Sequence, residues 1–129
     1  MTITLIAASF LGLLLIYLSY GVSKERLRSK TDLGDGGDPG LLRAIRAQGN
    51  LVEYAPIGLI LIGLLETAAV SKYIVMGIAI ALVLGRYMHG LMLGKVEGRN
   101  PFRFWGTILT WVAILAASIV GLLKGYGLI

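Results

Sequence analysis

The stretch Arg43–Pro56 reads RAIRAQGNLVEYAP and places arginine, glutamine, asparagine, glutamate and tyrosine at the start of a hydrophobic segment. The run that follows, residues 57–65, reads IGLILIGLL and has the composition of a helix in lipid. Ionisable groups at membrane depth are costly, so these side chains should face the inside of a bundle, a partner subunit or a ligand. The stretch therefore predicts a polar site set into a membrane scaffold.

The composition of the whole chain is that of a helical membrane protein. Of its 129 residues, 57% are hydrophobic and 15% are charged, and the mean hydropathy is +0.82. Soluble domains are about 45–50% apolar and about 25% charged. A spanning helix takes roughly 20 residues, so the length allows four spans with short connections. We predict an all-α integral membrane protein, a four-transmembrane-helix bundle in one domain (1–129), with spans at about 3–22, 40–69, 73–93 and 102–123.

Local signals place the boundaries of these spans. The segment 31–40, TDLGDGGDPG, is rich in turn residues, and Asp38 followed by Pro39 is a helix-start signal. Pro56 lies inside the second span and favours a kink there. The first 20 residues lack a basic n-region and a small-residue cleavage site, which indicates a retained span rather than a signal peptide.

Basic residues are concentrated at one predicted end of the bundle. They flank the first and third connections, whereas the opposite end has only Lys72 and Lys124. The positive-inside rule then predicts both termini outside and both basic connections in the cytoplasm. Because the cations flank apolar spans, the formal charge of +5 indicates lipid headgroups as partners rather than nucleic acid.

The second span carries a polar stripe formed by Arg43, Arg46, Asn50 and Glu53. Their spacings of three, four and three residues place them on one helical face. One interpretation is structural, with Arg46 and Glu53 paired to neighbouring helices and Asn50 bridging backbones. The other is a ligand site, since four strong polar groups exceed what packing requires.

The third span adds Arg86 and His89, again on one face. Burial of Arg86 would require an anion or a carboxylate partner. His89 is the only histidine, and a hydrogen-bonding or packing role is its default interpretation; with Glu53 alone it would make a poor metal site, so no metal is predicted. Gly77, Ala81 and Gly85 form a small-xxx-small ladder, for packing either within the subunit or between subunits.

Arg103 opens the fourth span after Asn100 and Pro101. It is either a positive-inside anchor or part of the same site. All of these polar groups come near the predicted cytoplasmic ends of the spans, where fixed cations and one carboxylate suit a small anionic ligand with carboxylates and an amino group. An arginine beside a ligand thiol would stabilise its thiolate, and since the chain has no cysteine, that thiol must come with the ligand.

The motif RAQGNLVEYAP, residues 46–56, resembles the signature of the membrane-associated proteins in eicosanoid and glutathione metabolism, the MAPEG superfamily. The resemblance is strongest to the bacterial branch, where a GDGG-type loop precedes this motif. Further matching patches are the RLR at 26–28, the GRYMH at 85–89 and the NPFR at 100–103. The resemblance thus touches all four spans.

This resemblance implies a homotrimer with glutathione as co-substrate in clefts between subunits, in a bacterial inner membrane. It implies glutathione transfer to, or peroxide reduction of, lipophilic small molecules. Arg103 matches the thiolate-stabilising, catalytic position. The positions that it implies for glutathione binding are Arg26, Arg46, Gln48, Asn50, Glu53, Tyr54, Arg86 and His89.

Two positions depart from the family pattern. Several members have a tyrosine one turn beyond His89, where this chain has Leu93, and one relative has serine where Phe104 follows Arg103. Fewer hydroxyls near the thiol imply a weaker thiol site or a different substrate. The family also contains a non-catalytic lipid-binding member, so a second hypothesis stays open. In it the chain is a non-catalytic membrane protein that binds a lipid or small anion, with the polar stripe serving trimer assembly.

Overall fold

The computed structural model describes residues 1–93 and 100–129, with the backbone alone for Leu93. This part of the chain forms four α-helices: α1 (Thr2–Ser29), α2 (Pro39–Thr67), α3 (Lys72–Leu93) and α4 (Pro101–Gly125). All four are long and apolar enough to cross a membrane, which confirms the predicted four-helix membrane bundle. Residues 94–99 of the predicted connection at 94–101 lie outside the described residues.

The helices begin and end within two residues of the predicted spans, except at the end of α1. That helix continues through its basic segment to Ser29, and its C-cap Lys30 has a left-handed φ of 53°. The predicted start of α2 is confirmed: Asp38 is its N-cap, and a side-chain oxygen accepts from Leu41 N at 2.9 Å. The start of α4 is built in the same way, with Asn100 accepting from Phe102 N before Pro101. Pro56 lies within α2, which continues as one helix to Thr67.

Asp38 also fixes the α1–α2 connection to the end of α1. Arg28 donates to Asp38 Oδ1 at 2.6 Å and to Glu25 Oε2 at 2.8 Å, so one guanidinium joins α1 to the cap of α2. The backbone N–H of Leu41, together with Arg28, holds the pKa of Asp38 below its ordinary value. The folded state therefore favours the ionised carboxylate.

This shift makes part of the stability dependent on pH. Because the pKa of Asp38 is lowered on folding, its contribution is complete above the unfolded value of about 4 and is lost as the pH falls through the folded value. We expect the melting temperature of the wild-type protein in detergent to exceed that of Asp38→Asn at neutral pH, with the difference shrinking below about pH 4. Asparagine still caps the helix, so the comparison isolates the charge. A difference that stays constant down to pH 3 would contradict this account.

The core lies where α3 packs against all three other helices. In the described part of the chain, α4 contacts α2 and α3 but not α1. Large apolar side chains also cover the outer surface of every helix, as contact with lipid requires. The buried core side chains include Ala7, Leu11, Leu14 and Leu18 of α1, Leu51, Ala55, Ile62 and Leu65 of α2, Val75, Ala79 and Leu82 of α3, and Ala113 and Ala117 of α4.

The closest helix crossing joins α3 to α4 at two glycines. A Cβ on Gly85 would lie 2.8 Å from Gly106 O and 2.6 Å from Thr110 Oγ1, and a Cβ on Gly106 would lie 2.7 Å from Gly85 O. Gly85 of the predicted small-residue ladder thus serves packing within the chain. Gly77 has open space where its Cβ would be.

The alternating helices bring the predicted basic ends together at one end of the bundle. There Gly90 of α3 packs on Leu18 of α1, and Gly106 of α4 lies against His89 of α3. At the opposite end, Glu66 of α2 accepts hydrogen bonds from Ile3 N and Thr4 N. The arrangement agrees with the predicted clustering of cations, and the side of the membrane on which they lie stays a prediction.

Candidate functional site

A cleft of about 340 Å³ opens at the basic end of the bundle, between α2, α3 and α4. Its position follows from the close α3–α4 crossing, which brings the start of α4 beside the last turns of α3. Three of its lining residues are arginines, and no described lining residue is a carboxylate. We call it the arginine cleft; its lining residues are Leu42, Arg43, Arg46, Asn50, His89 and Arg103.

The arginine cleft brings together four of the predicted site residues from three helices. Arg46 and Asn50 come from the stripe on α2, His89 from α3 and Arg103 from the first turn of α4. Arg103 is exposed, whereas His89 is only 6% exposed. The cleft is therefore open on the side of Arg103 and closed by packing on the side of His89.

Glu53 lies next to the cleft but does not line it. Its carboxylate is 3.5 Å from Arg46 Nη1, and both side chains are more than half exposed. Pairing to neighbouring helices was one interpretation of these residues, and in this chain they pair with each other along α2 instead. An ion pair on the outer surface of a spanning helix must still be shielded from contact with lipid.

Arg86 is buried, with 2% of its surface exposed, and it does not line the cleft. Its Nε donates to Thr110 Oγ1 at 2.8 Å, and its Nη1 donates to both the backbone oxygen and Oδ1 of Asn50. The guanidinium also lies 5.2 Å from the centre of the Tyr54 ring. Sequence reasoning expected an anion or a carboxylate beside Arg86, but its described partners are neutral. Its Nη2 is buried without a hydrogen-bond partner among the described residues.

Besides Glu53 and Arg86, three predicted ligand-binding residues do not line the arginine cleft. Arg26 folds back onto the α1–α2 connection, where its Nη1 donates to Gly34 O at 3.0 Å and Thr31 O at 3.3 Å. Gln48 faces α1 and donates to Ser19 Oγ at 3.4 Å. Tyr54 lies under Arg86 rather than in the cleft. A single chain thus brings together only part of the predicted set.

Sequence reasoning missed two residues that shape this region. Thr110 accepts from Arg86 and is fully buried, but a threonine in a spanning helix commonly bonds to its own backbone and gives no signal of a second partner. Arg43 was placed on the α2 stripe but not among the ligand-binding positions, although it lines the cleft. Its spacing of three residues from Arg46 was the available signal.

Larger cavities also lie elsewhere among the described residues. A cleft of about 670 Å³ between α1 and the start of α2 has a charged rim that includes Lys24, Arg28 and Asp38. An apolar groove of about 530 Å³ runs between α1 and α3 and ends at Tyr87, whose hydroxyl donates to Phe10 O at 2.8 Å. Among the described residues, no three histidine or carboxylate side chains come together as a metal site would need.

Four helices long and apolar enough to cross a membrane define an integral membrane protein, and a cleft lined by three arginines opens at one end of its bundle. The chain belongs to the MAPEG family, whose model matches residues 4–123. It is also 34% identical to the inner membrane protein YecN of Escherichia coli strain K12 over 111 residues, which are 86% of this chain and 83% of that protein. YecN of E. coli O6:H1 matches to the same extent.

Proposed function

We propose that this protein is a glutathione-dependent membrane transferase or peroxidase acting on lipophilic electrophiles or hydroperoxides. The observation that carries the proposal is the convergence of Arg46, Asn50, His89 and Arg103 from three helices on one cleft without a described carboxylate. Such a set of donors fits the carboxylates and peptide oxygens of glutathione. Membership of a family named for eicosanoid and glutathione metabolism supports the same ligand.

In this mechanism the thiol of glutathione loses its proton to water, and Arg103 stabilises the thiolate. The sulfur then forms a bond to an electrophilic carbon, and the leaving group departs with its electron pair. With a hydroperoxide, the thiolate attacks the terminal oxygen, so the O–O bond breaks, an alcohol leaves with a proton from water, and the sulfur becomes a sulfenic acid. A second glutathione reduces the sulfenic acid to water and a disulfide. The protein supplies positioning and charge stabilisation only.

The proposed assembly is a homotrimer in a bacterial inner membrane, with the glutathione site completed between subunits. Arg46 and Glu53 have side-chain exposures of 56% and 52% on a helix that spans the membrane, so protein rather than lipid must cover them. A neighbouring copy can also supply the arginine at position 26 and the glutamine at position 48, which lie off the cleft of their own chain. The inner membrane location follows that of YecN.

Titration of the purified protein in detergent with glutathione tests this proposal. We expect saturable binding together with the ultraviolet absorbance of a thiolate near neutral pH, since the adjacent guanidinium of Arg103 lowers the pKa of the thiol. S-methylglutathione is the matched control, because it should bind without that absorbance. Binding of both peptides without thiolate would instead support the non-catalytic ligand-binding hypothesis, and absence of binding would reject a glutathione site. The mass of the same detergent-solubilised particle distinguishes a trimer from a monomer.

A further inference from the structure

In the hydrogen bonds that join Arg86 to Thr110 and Asn50, Arg86 is always the donor. We propose that Arg86 is a positioning residue that turns the amide of Asn50, so that Asn50 presents N–H donors to the arginine cleft. The described wall of the cleft then selects ligand groups that accept hydrogen bonds, above all a carboxylate. The inference rests on the proposed function in one respect, namely that the arginine cleft is where glutathione binds.

The direction is set at the backbone of α4. The hydroxyl of Thr110 donates to Gly106 O at 2.8 Å, which leaves its oxygen lone pairs for Arg86 Nε. A guanidinium has only donors, so the atom of Asn50 that meets Arg86 Nη1 must be the carboxamide oxygen. The orientation of an amide is ordinarily ambiguous, but here it is determined by its partner. The remaining polar group of Asn50 is its NH2.

The other polar groups of the cleft strengthen this selection. Arg43, Arg46 and Arg103 can only donate, and Asn50 is held as a donor, so His89 is the one described lining side chain that can accept. Glu53, the nearby acceptor, is paired to Arg46 outside the cleft. Among the described lining side chains, an ammonium group would therefore find only His89 as an acceptor. A carboxylate would find several donors and would also add negative charge near a buried guanidinium that has no ion pair among the described residues.

A purely structural role for Arg86 makes a different prediction for the variant Asn50→Asp. Aspartate keeps the size of asparagine and gives Arg86 a charged acceptor, so the bundle should be at least as stable as in the wild type. In the cleft, however, it replaces a donor by a negatively charged acceptor. Positioning for ligand therefore predicts opposite changes in stability and binding, whereas a structural role predicts that binding follows stability.

The experiment measures the melting temperature and the affinity for glutathione and for glutarate, a plain dicarboxylate, in the full-length protein in detergent. For Asn50→Asp we expect an unchanged or higher melting temperature and binding of both ligands weakened roughly tenfold or more. Ile62→Val is the matched control, because it removes one buried methylene group from α2 at a position that does not line the arginine cleft. It should lower the melting temperature, as the loss of a buried methylene does, while keeping affinity within about a factor of three.

Each outcome decides between the inference and the proposed function. If Asn50→Asp binds both ligands as tightly as the wild type, or melts well below it, the inference is wrong although the glutathione site can stand. If the wild type binds glutarate but not glutathione, and Asn50→Asp loses glutarate, the inference holds and the proposed function fails. Binding of neither ligand by the wild type rejects both.

Discussion

Replacing Arg103 with alanine is expected to abolish the thiolate absorbance of bound glutathione and to lower conjugation activity roughly 10²–10³-fold at neutral pH. Arg103 lies in the first turn of α4, exposed at the mouth of the arginine cleft. Without its charge, the pKa of the thiol should return toward the free value of about 8.5, so little thiolate forms at pH 7. The activity that is lost should therefore return in part as the pH rises toward 9.

The measurement is the rate of conjugation of a lipophilic electrophile as a function of pH, for the wild type and Arg103→Ala. Lys124→Ala is the matched control, since it removes one cation from the last turn of the same helix at the opposite end of the bundle. The control should keep the wild-type rate and pH profile. Full activity of Arg103→Ala at neutral pH would contradict the proposal that Arg103 stabilises the thiolate.

The helices of this fold could be predicted because residues that favour turns or helix caps bound most of the apolar runs. Asp38 with Pro39 starts α2, and the stretch after Pro56 is apolar on every face, as a helix between lipid and a bundle core requires. The end of α1 could not be placed in the same way. Its basic segment is polar enough to leave the membrane, yet it continues as helix because Arg28 binds both Glu25 and Asp38 across the connection.

The site was predicted only as far as helical periodicity reaches. The spacing along α2 places Arg46 and Asn50 on one face, and both line the cleft together with His89 and Arg103. Periodicity gives the direction of a side chain but not its partner on another helix. For that reason the pairing of Arg86 with Asn50 and Thr110 could not be read from the sequence. Arg26 shows the same limit, because a long side chain can fold back onto its own connection.

The second large effect concerns stability, and Gly85→Ala is expected to lower the free energy of unfolding by about 1–3 kcal/mol. The added Cβ would lie 2.8 Å from Gly106 O and 3.0 Å from Thr110 N, both backbone atoms of α4 that cannot turn aside. The helices must then separate, which also strains the bond from Arg86 to Thr110 and moves Arg103 away from His89. We expect a lower melting temperature and weaker glutathione binding together.

Gly77→Ala is the control on the same helix, because no atom of the other described helices lies within 4 Å of the new Cβ there. Alanine has the higher helix propensity, so this variant should gain up to about 1 kcal/mol and keep its affinity. The two variants make the same chemical change in α3 and differ only in what faces the methyl group. If both variants shift the melting temperature alike, the α3–α4 crossing is not close enough to fix the position of Arg103 at the arginine cleft. If only Gly85→Ala loses stability and affinity, the close approach of the two helices is what brings Arg103 to the site.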